Sequence, residues 1–156
     1  MKLSPIVLKG FEGREEALKE IKRYIDDITP VMFYRTNDLV HSRRVLAHLD
    51  AALPDILSVY GIKFDMGFAR TEALVHDDAE MITGDPSLHA KEQMDETELA
   101  LLAQQELDAI PQLIARYSPS ANGYNYEKLL LAAKHKDRLE AQFVSYFDKF
   151  DGAGEA

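Results

Sequence analysis

The chain has 156 residues, 46% of them hydrophobic and 29% charged, with a formal net charge of −9 and no cysteine. Such a length and composition fit one globular domain that buries a core. Disulfide frameworks, zinc–thiolate sites and thiol nucleophiles are excluded, and a field of this sign opposes nucleic-acid wrapping and adhesion to anionic lipid.

No run of about 18 apolar residues marks a membrane span, and Met1 to Gly10 lacks the pattern of a secretory leader, so a cytoplasmic location is expected. Helical periodicity then dominates. Arg14 to Ile28 carries the stripe Leu18, Ile21, Tyr24, Ile25 and Ile28, stopped by Pro30. After a connector from Val31 to Thr36, Asn37 or Asp38 caps a second helix, since either side chain accepts free amide protons of the first turn. Leu39, Val45, Leu46 and Leu49 line it, and Pro54 predicts a kink or break before Gly61. A third helix covers about Asp65 to Asp78, with Ala69, Ala73 and Leu74 inward. Ala79 to Leu88, with Gly84 and Pro86, reads as a turn or broken helix. A fourth helix runs from about Lys91 to Tyr117 on Leu99, Leu102, Leu107, Ile110 and Leu113. Ser118 to Asn125 is the clearest loop, and one last helix spans Tyr126 to Phe150. Asp151 to Ala156 reads as a disordered tail. Two-residue alternation is confined to Pro5 to Leu8, so an all-α, single-domain, compact helical bundle is expected.

Five histidines occur, and one is placed unusually. His76-Asp77 ends the apolar stretch Ala73-Leu74-Val75, which sets two metal-capable side chains at the edge of the core. A carboxylate at a helix C-terminus opposes the macrodipole, so a nearby cation relieves a penalty; the plain alternative is a solvated aspartate pair. His41, one turn inside the second helix, and Asp137, in the last, complete a set of two imidazoles and two carboxylates. Mixed nitrogen and oxygen donors suit one divalent ion (Mn, Co, Fe, Ni, Zn or Mg) and leave positions open for water and substrate. His48 shares the helical face of His41 but lies roughly 10 Å along the axis, too far to share that ion. His135 points away from Asp137 on a helix, and His89 lies in the turn region.

The order His41, His76-Asp77, Asp137 resembles the defining pattern of the HD-domain superfamily of metal-dependent phosphohydrolases. Within it, His76-Asp77-Asp78-Ala79-Glu80-Met81-Ile82-Thr83-Gly84-Asp85 is similar to the HD-x-x-E-x-x-x-G-D stretch of bacterial HD-domain 5′-deoxynucleotidases. The resemblance extends from Phe33 to Ala141 and includes Arg35 and the Lys134, Asp137, Leu139, Glu140, Ala141 pattern. It implies an HD-type fold in which His41, His76, Asp77 and Asp137 bind one divalent ion. That ion would polarise a phosphoryl oxygen and acidify water. Glu80, one turn after Asp77, is the implied general acid or base; without this context it is a surface glutamate. Asp85, after a glycine that permits a tight turn, would position water or a sugar hydroxyl, or serve the turn alone. Arg35 would clamp phosphate through paired donors, or lie on the surface, and Lys134 reaches either the site or solvent.

Departures from the family narrow the expectation. The histidines that hold a second metal in many relatives have only His89 and His135 as counterparts, which favours one ion. Met81 after Glu80 departs from the Glu-Asp of alarmone hydrolases. The expected substrate is a small phosphorylated molecule, plausibly a (deoxy)nucleoside 5′-monophosphate cleaved by an activated water. A phosphodiesterase or nucleoside-triphosphate hydrolase on the same scaffold, and a non-catalytic metal- or nucleotide-binding module, are the alternatives. Nucleic acid and membrane are not expected partners, and a homodimer is compatible with the composition.

Overall fold

The computed structural model describes residues 2–21, 37–84 and 91–155. The first helix, α1 (Arg14–Lys19), opens after Gly13; its expected continuation from residue 22 and the 31–36 connector lie outside the described residues. Asn37 caps α2 (Asp38–Tyr60), its side chain accepting the Val40 amide at 3.0 Å. Pro54 does not divide this helix. An interior proline costs about 3 kcal/mol, whereas each buried aliphatic side chain returns about 1.5–3 kcal/mol, and Leu49, Leu53 and Ile56 flank it on the inward face. Asp38–Lys63 reaches a mean hydropathy of 1.3, enough by length and composition for a membrane-crossing helix. Its Leu39, Val45, Leu49 and Leu53 are nevertheless buried in the protein core.

Asp65 caps α3 (Met66–Val75) by accepting the Phe68 amide at 3.0 Å. The short α4 (Glu80–Thr83) closes on Gly84 at φ 81°, and the glycine amide donates to the Glu80 carbonyl at 2.8 Å. Asp95 then caps α5 (Glu96–Arg116). In place of the expected loop stands a small hairpin, β1 (Ser120–Ala121) against β2 (Tyr124–Asn125). Asn122 and Gly123 turn it with φ of 53° and 83°, the positive pair that a two-residue turn between right-twisted strands demands. Asn122 also donates to Thr71 Oγ1 at 2.9 Å, which fastens the hairpin to α3.

The single last helix expected from periodicity is two, α6 (Tyr126–His135) and α7 (Leu139–Glu155). Lys136 turns left-handed at φ 54°, and its amide donates to the Ala132 carbonyl at 2.8 Å. This is a glycine-type helix stop made with lysine. Helix α7 also runs through residues 151–155, where a tail was expected, and Asp151 is buried.

Helix α3 lies between two apolar clusters. Phe68 and Val75 join Ile110, Leu113, Ala121, Tyr126 and Leu129; Ala69 and Ala73 join Val45, Leu49 and Leu53 of α2 and Val144 of α7. Tyr60, at the end of α2, meets Phe143, near the start of α7. The two helices therefore run antiparallel, and the start of α2 lies beside the C-terminal ends of α3 and α7. The result is the expected all-α bundle.

Glu72 of α3 is fully buried, and among the described residues neither carboxylate oxygen has a hydrogen-bond partner. Burial pushes its pKa up from 4.5 to about 8 against the opposing pull of His76 and Arg138. The folded chain thus keeps a proton that the unfolded chain loses above about pH 4.5. Stability falls as pH rises from there to about 8 and levels off beyond, by at most about 1.4 kcal/mol per unit from this group. Urea unfolding of Glu72→Gln between about pH 5 and 8 should show a shallower decline than the parent; equal slopes would refute the assignment.

Candidate metal centre

The inward stripe of α2 begins polar and becomes apolar: Asp38 and His41 are buried one turn apart, ahead of Val45, Leu49 and Leu53. On α7 the order reverses. Ala141 and Val144 are buried, and the same three- and four-residue spacing then presents Asp148 and Asp151. Because the helices are antiparallel, both polar ends meet at the end of α3, where His76 is the C-cap and Asp77 follows.

Four side chains converge there: one donor atom from each of His41, His76, Asp77 and Asp148 lies within 4.8 Å of the others. His41 Nε2 is 2.7 Å from Asp148 Oδ1 and 3.6 Å from Asp77 Oδ2. His76 Nε2 is 3.2 Å from Asp77 Oδ2 and 3.4 Å from Asp148 Oδ1. Metal–ligand bonds of about 2.0–2.2 Å place neighbouring donors roughly 3–3.5 Å apart, so these four atoms fit around one divalent ion with little rearrangement. The His76 ring is held from behind by Nδ1 donating to the Ala73 carbonyl at 2.7 Å, which leaves Nε2 facing the group.

The electrostatics agree. Burial disfavours a charged His76, but Asp77 and Asp148 outweigh it and raise its pKa well above the ordinary histidine range. Burial works against the Asp77 and Asp148 carboxylates as well, and the two histidines overcome it and hold both below their ordinary range. Both carboxylates therefore stay ionised, the form in which they can ligate a cation.

Of the sequence-predicted ligands, His41, His76 and Asp77 come together and Asp137 does not. Asp137 is exposed in the break between α6 and α7, and Asp148 stands in the place expected for it. The left-handed Lys136 ends α6 one residue earlier and leaves Asp137 in the break. Glu80 lines the cavity beside Asp77, and an oxygen of Asp38, of Asp77 and of Glu80 fall within 4.8 Å of one another. Lys134 reaches the same cavity and is ion-paired with Glu106 of α5. Arg35, Asp85 and His89 lie outside the described residues. Asp148, Asp151 and the inward role of Asp38 were missed, although the spacing of Ala141, Val144, Asp148 and Asp151 marks the first two as one face.

The cavity has a volume of about 310 Å³. His76, Asp77, Glu80 and Asp148 form one wall, Lys91, Lys134 and Lys136 add positive charge, and Leu99, Leu102, Leu107, Ile110 and Leu130 make an apolar side. Beneath the site, Arg14 of α1 clamps Asp78 with bonds of 2.9 and 2.8 Å and donates to the Leu74 carbonyl at 2.7 Å. Tyr126 donates to the same carboxylate at 2.6 Å. The residue after Asp77 is thus locked to two other helices.

No protein-family model and no curated protein matches the chain. Among solved structures, a conserved hypothetical protein from Pyrococcus furiosus is similar in fold, with a TM-score of 0.64 at 23% identity over 88% of this chain and 75% of that one.

Replacing Arg14 with Met should destabilise the protein by about 3–5 kcal/mol in urea unfolding, because Asp78 is left as a buried unpaired charge. A loss below about 1 kcal/mol would mean that the pair does not hold the turn.

Proposed function

We propose that the chain is a metal-dependent phosphohydrolase whose divalent ion is held by His41, His76, Asp77 and Asp148. The observation that carries this reading is the convergence of those four donors, with His76, Asp77 and Asp148 on the wall of a cavity that also presents lysines. The likeness of His41 and His76-Asp77-x-x-Glu80 to the HD-domain pattern supports it, with Asp148 in place of Asp137. When bound, the ion supplies Lewis acidity toward a phosphoryl oxygen and toward water.

The protein's own groups supply the rest. Lys134, braced by Glu106, and Lys136 offer positive charge to the phosphate in a chain that is otherwise strongly acidic. Glu80 accepts the proton of the attacking water. As the water oxygen bonds to phosphorus, the ester P–O bond breaks, and the leaving oxygen takes up a proton to give an alcohol and inorganic phosphate. The leucine-rich side excludes water and accommodates the organic part of the ester. A nucleoside 5′-monophosphate, whose flat base suits such a wall, is the proposed substrate.

The test is a panel of phosphate esters assayed with Mn, Co, Ni, Zn and Mg, alongside metal analysis. Asp148→Asn should abolish metal retention and turnover, while Asp137→Asn leaves both near parental levels. Glu80→Gln should keep the metal and lower kcat by roughly 10²-fold. Cleavage of phosphodiesters alone would replace the monoesterase reading, and metal binding without turnover on any ester would leave a binding module.

A further inference from the structure

Asp151 lies outside the four-donor group, yet it is 5% exposed and makes three charged contacts. Its Oδ2 is 2.7 Å from His41 Nδ1, the ring nitrogen opposite the one that faces Asp77 and Asp148. Its Oδ1 is 3.2 Å from His48 Nε2 and 3.1 Å from Arg44 Nε. The His48 ring in turn packs edge-on against Phe150 at 5.0 Å between centroids. Residues 41, 44 and 48 occupy successive turns of one face of α2, so a single carboxylate from α7 is gripped by three side chains of the opposing helix.

We infer that Asp151 is the positioning residue of the metal centre, with His48 and Arg44 as its outer clamp. The inference rests on the metal-centre reading and extends it to residues outside the four-donor group. The physical reason lies in the imidazole. A histidine that ligates through Nε2 carries its proton on Nδ1, and an acceptor for that proton fixes both the tautomer and the ring plane and makes Nε2 a stronger donor. His41 is fully buried, so water cannot serve as that acceptor, and Asp151 is the carboxylate in place. An acceptor of this kind must itself be held still, and the contacts from His48 and Arg44 do this. His48, unsuited to share the ion because of its distance along α2, therefore acts at second hand.

The test uses the full chain, stripped with chelator and titrated with Co(II) alone, read by calorimetry and by the visible absorption of the bound ion. Parent protein should bind one equivalent; if it binds none, the metal-centre reading itself fails. Asp151→Asn should bind Co(II) about 10- to 100-fold more weakly with an altered visible band. His48→Ala, at a half-exposed position, should fold normally and lose affinity by a smaller factor, and it decides the matter if Asp151→Asn does not fold. Parental affinity and an unchanged band in Asp151→Asn, or in His48→Ala where that variant decides, would overturn the proposal.

Discussion

The end of α3 is where like charge accumulates, and the arrangement of the other helices answers that problem. Helix α3 directs its C-terminus, the negative pole of its dipole, toward Asp77, which is already a carboxylate, and Asp148 of α7 brings a second carboxylate to the same place. The positive start of α2 opposes them. Histidines bring partial relief, as the raised pKa of His76 and the lowered pKa values of Asp77 and Asp148 indicate. Such a place favours a bound proton or cation. Apolar packing sets the helix directions, and those directions bring the carboxylates together.

Two rigid supports flank this point. Below it, Arg14, Tyr126 and the Leu74 carbonyl pin Asp78 and the turn that carries His76 and Asp77. On the far side, Asp151 pins His41. The supports come from α1, α6 and α7, so the donor geometry depends on nearly every helix of the bundle. A buried ion pair is weak evidence for net stability, because desolvation offsets most of its attraction. Its value here is geometric: the charges accept few alternative arrangements, whereas an apolar contact of similar size would tolerate several.

Much of this was legible in the residues, for identifiable reasons. Helical periodicity located α2, α3 and α5 and merged the last two helices into one, and the adjacency of His76-Asp77 to an apolar helix end marked the candidate site. The choice of Asp137 followed the order of the family pattern, and an uninterrupted last helix raised no objection to it. Lysine seldom stops a helix in the left-handed conformation, so nothing announced the break at Lys136. The same reading gave residues 151–155 to a tail, because Gly152, Gly154 and Glu155 look like one. Tertiary contact with His41, Arg44 and His48 overrides that composition. Asn122-Gly123 is a hairpin signal in its own right, obscured by strands of two residues each. Pro54 shows the opposite failing, a strong local rule outvoted by the buried leucines around it.

The manner in which α7 is held suggests why its order and the site belong together. Its inward face is apolar at Ala141 and Val144, but beyond Phe147 the inward residues are Asp148 and Asp151, while Tyr146 and Phe150 face outward with more than half of their surface exposed. The last turns of this helix therefore gain little from the hydrophobic effect and are retained by polar contacts to α2. A cation bound only by the folded chain at 100 times its dissociation constant would add about 2.7 kcal/mol of stability. With Asp148 among the proposed donors, that increment would fall on the C-terminal turns of α7, where apolar anchorage is thin. Occupancy of the proposed site and docking of those turns would then be two descriptions of one equilibrium, with His41 as the residue common to both.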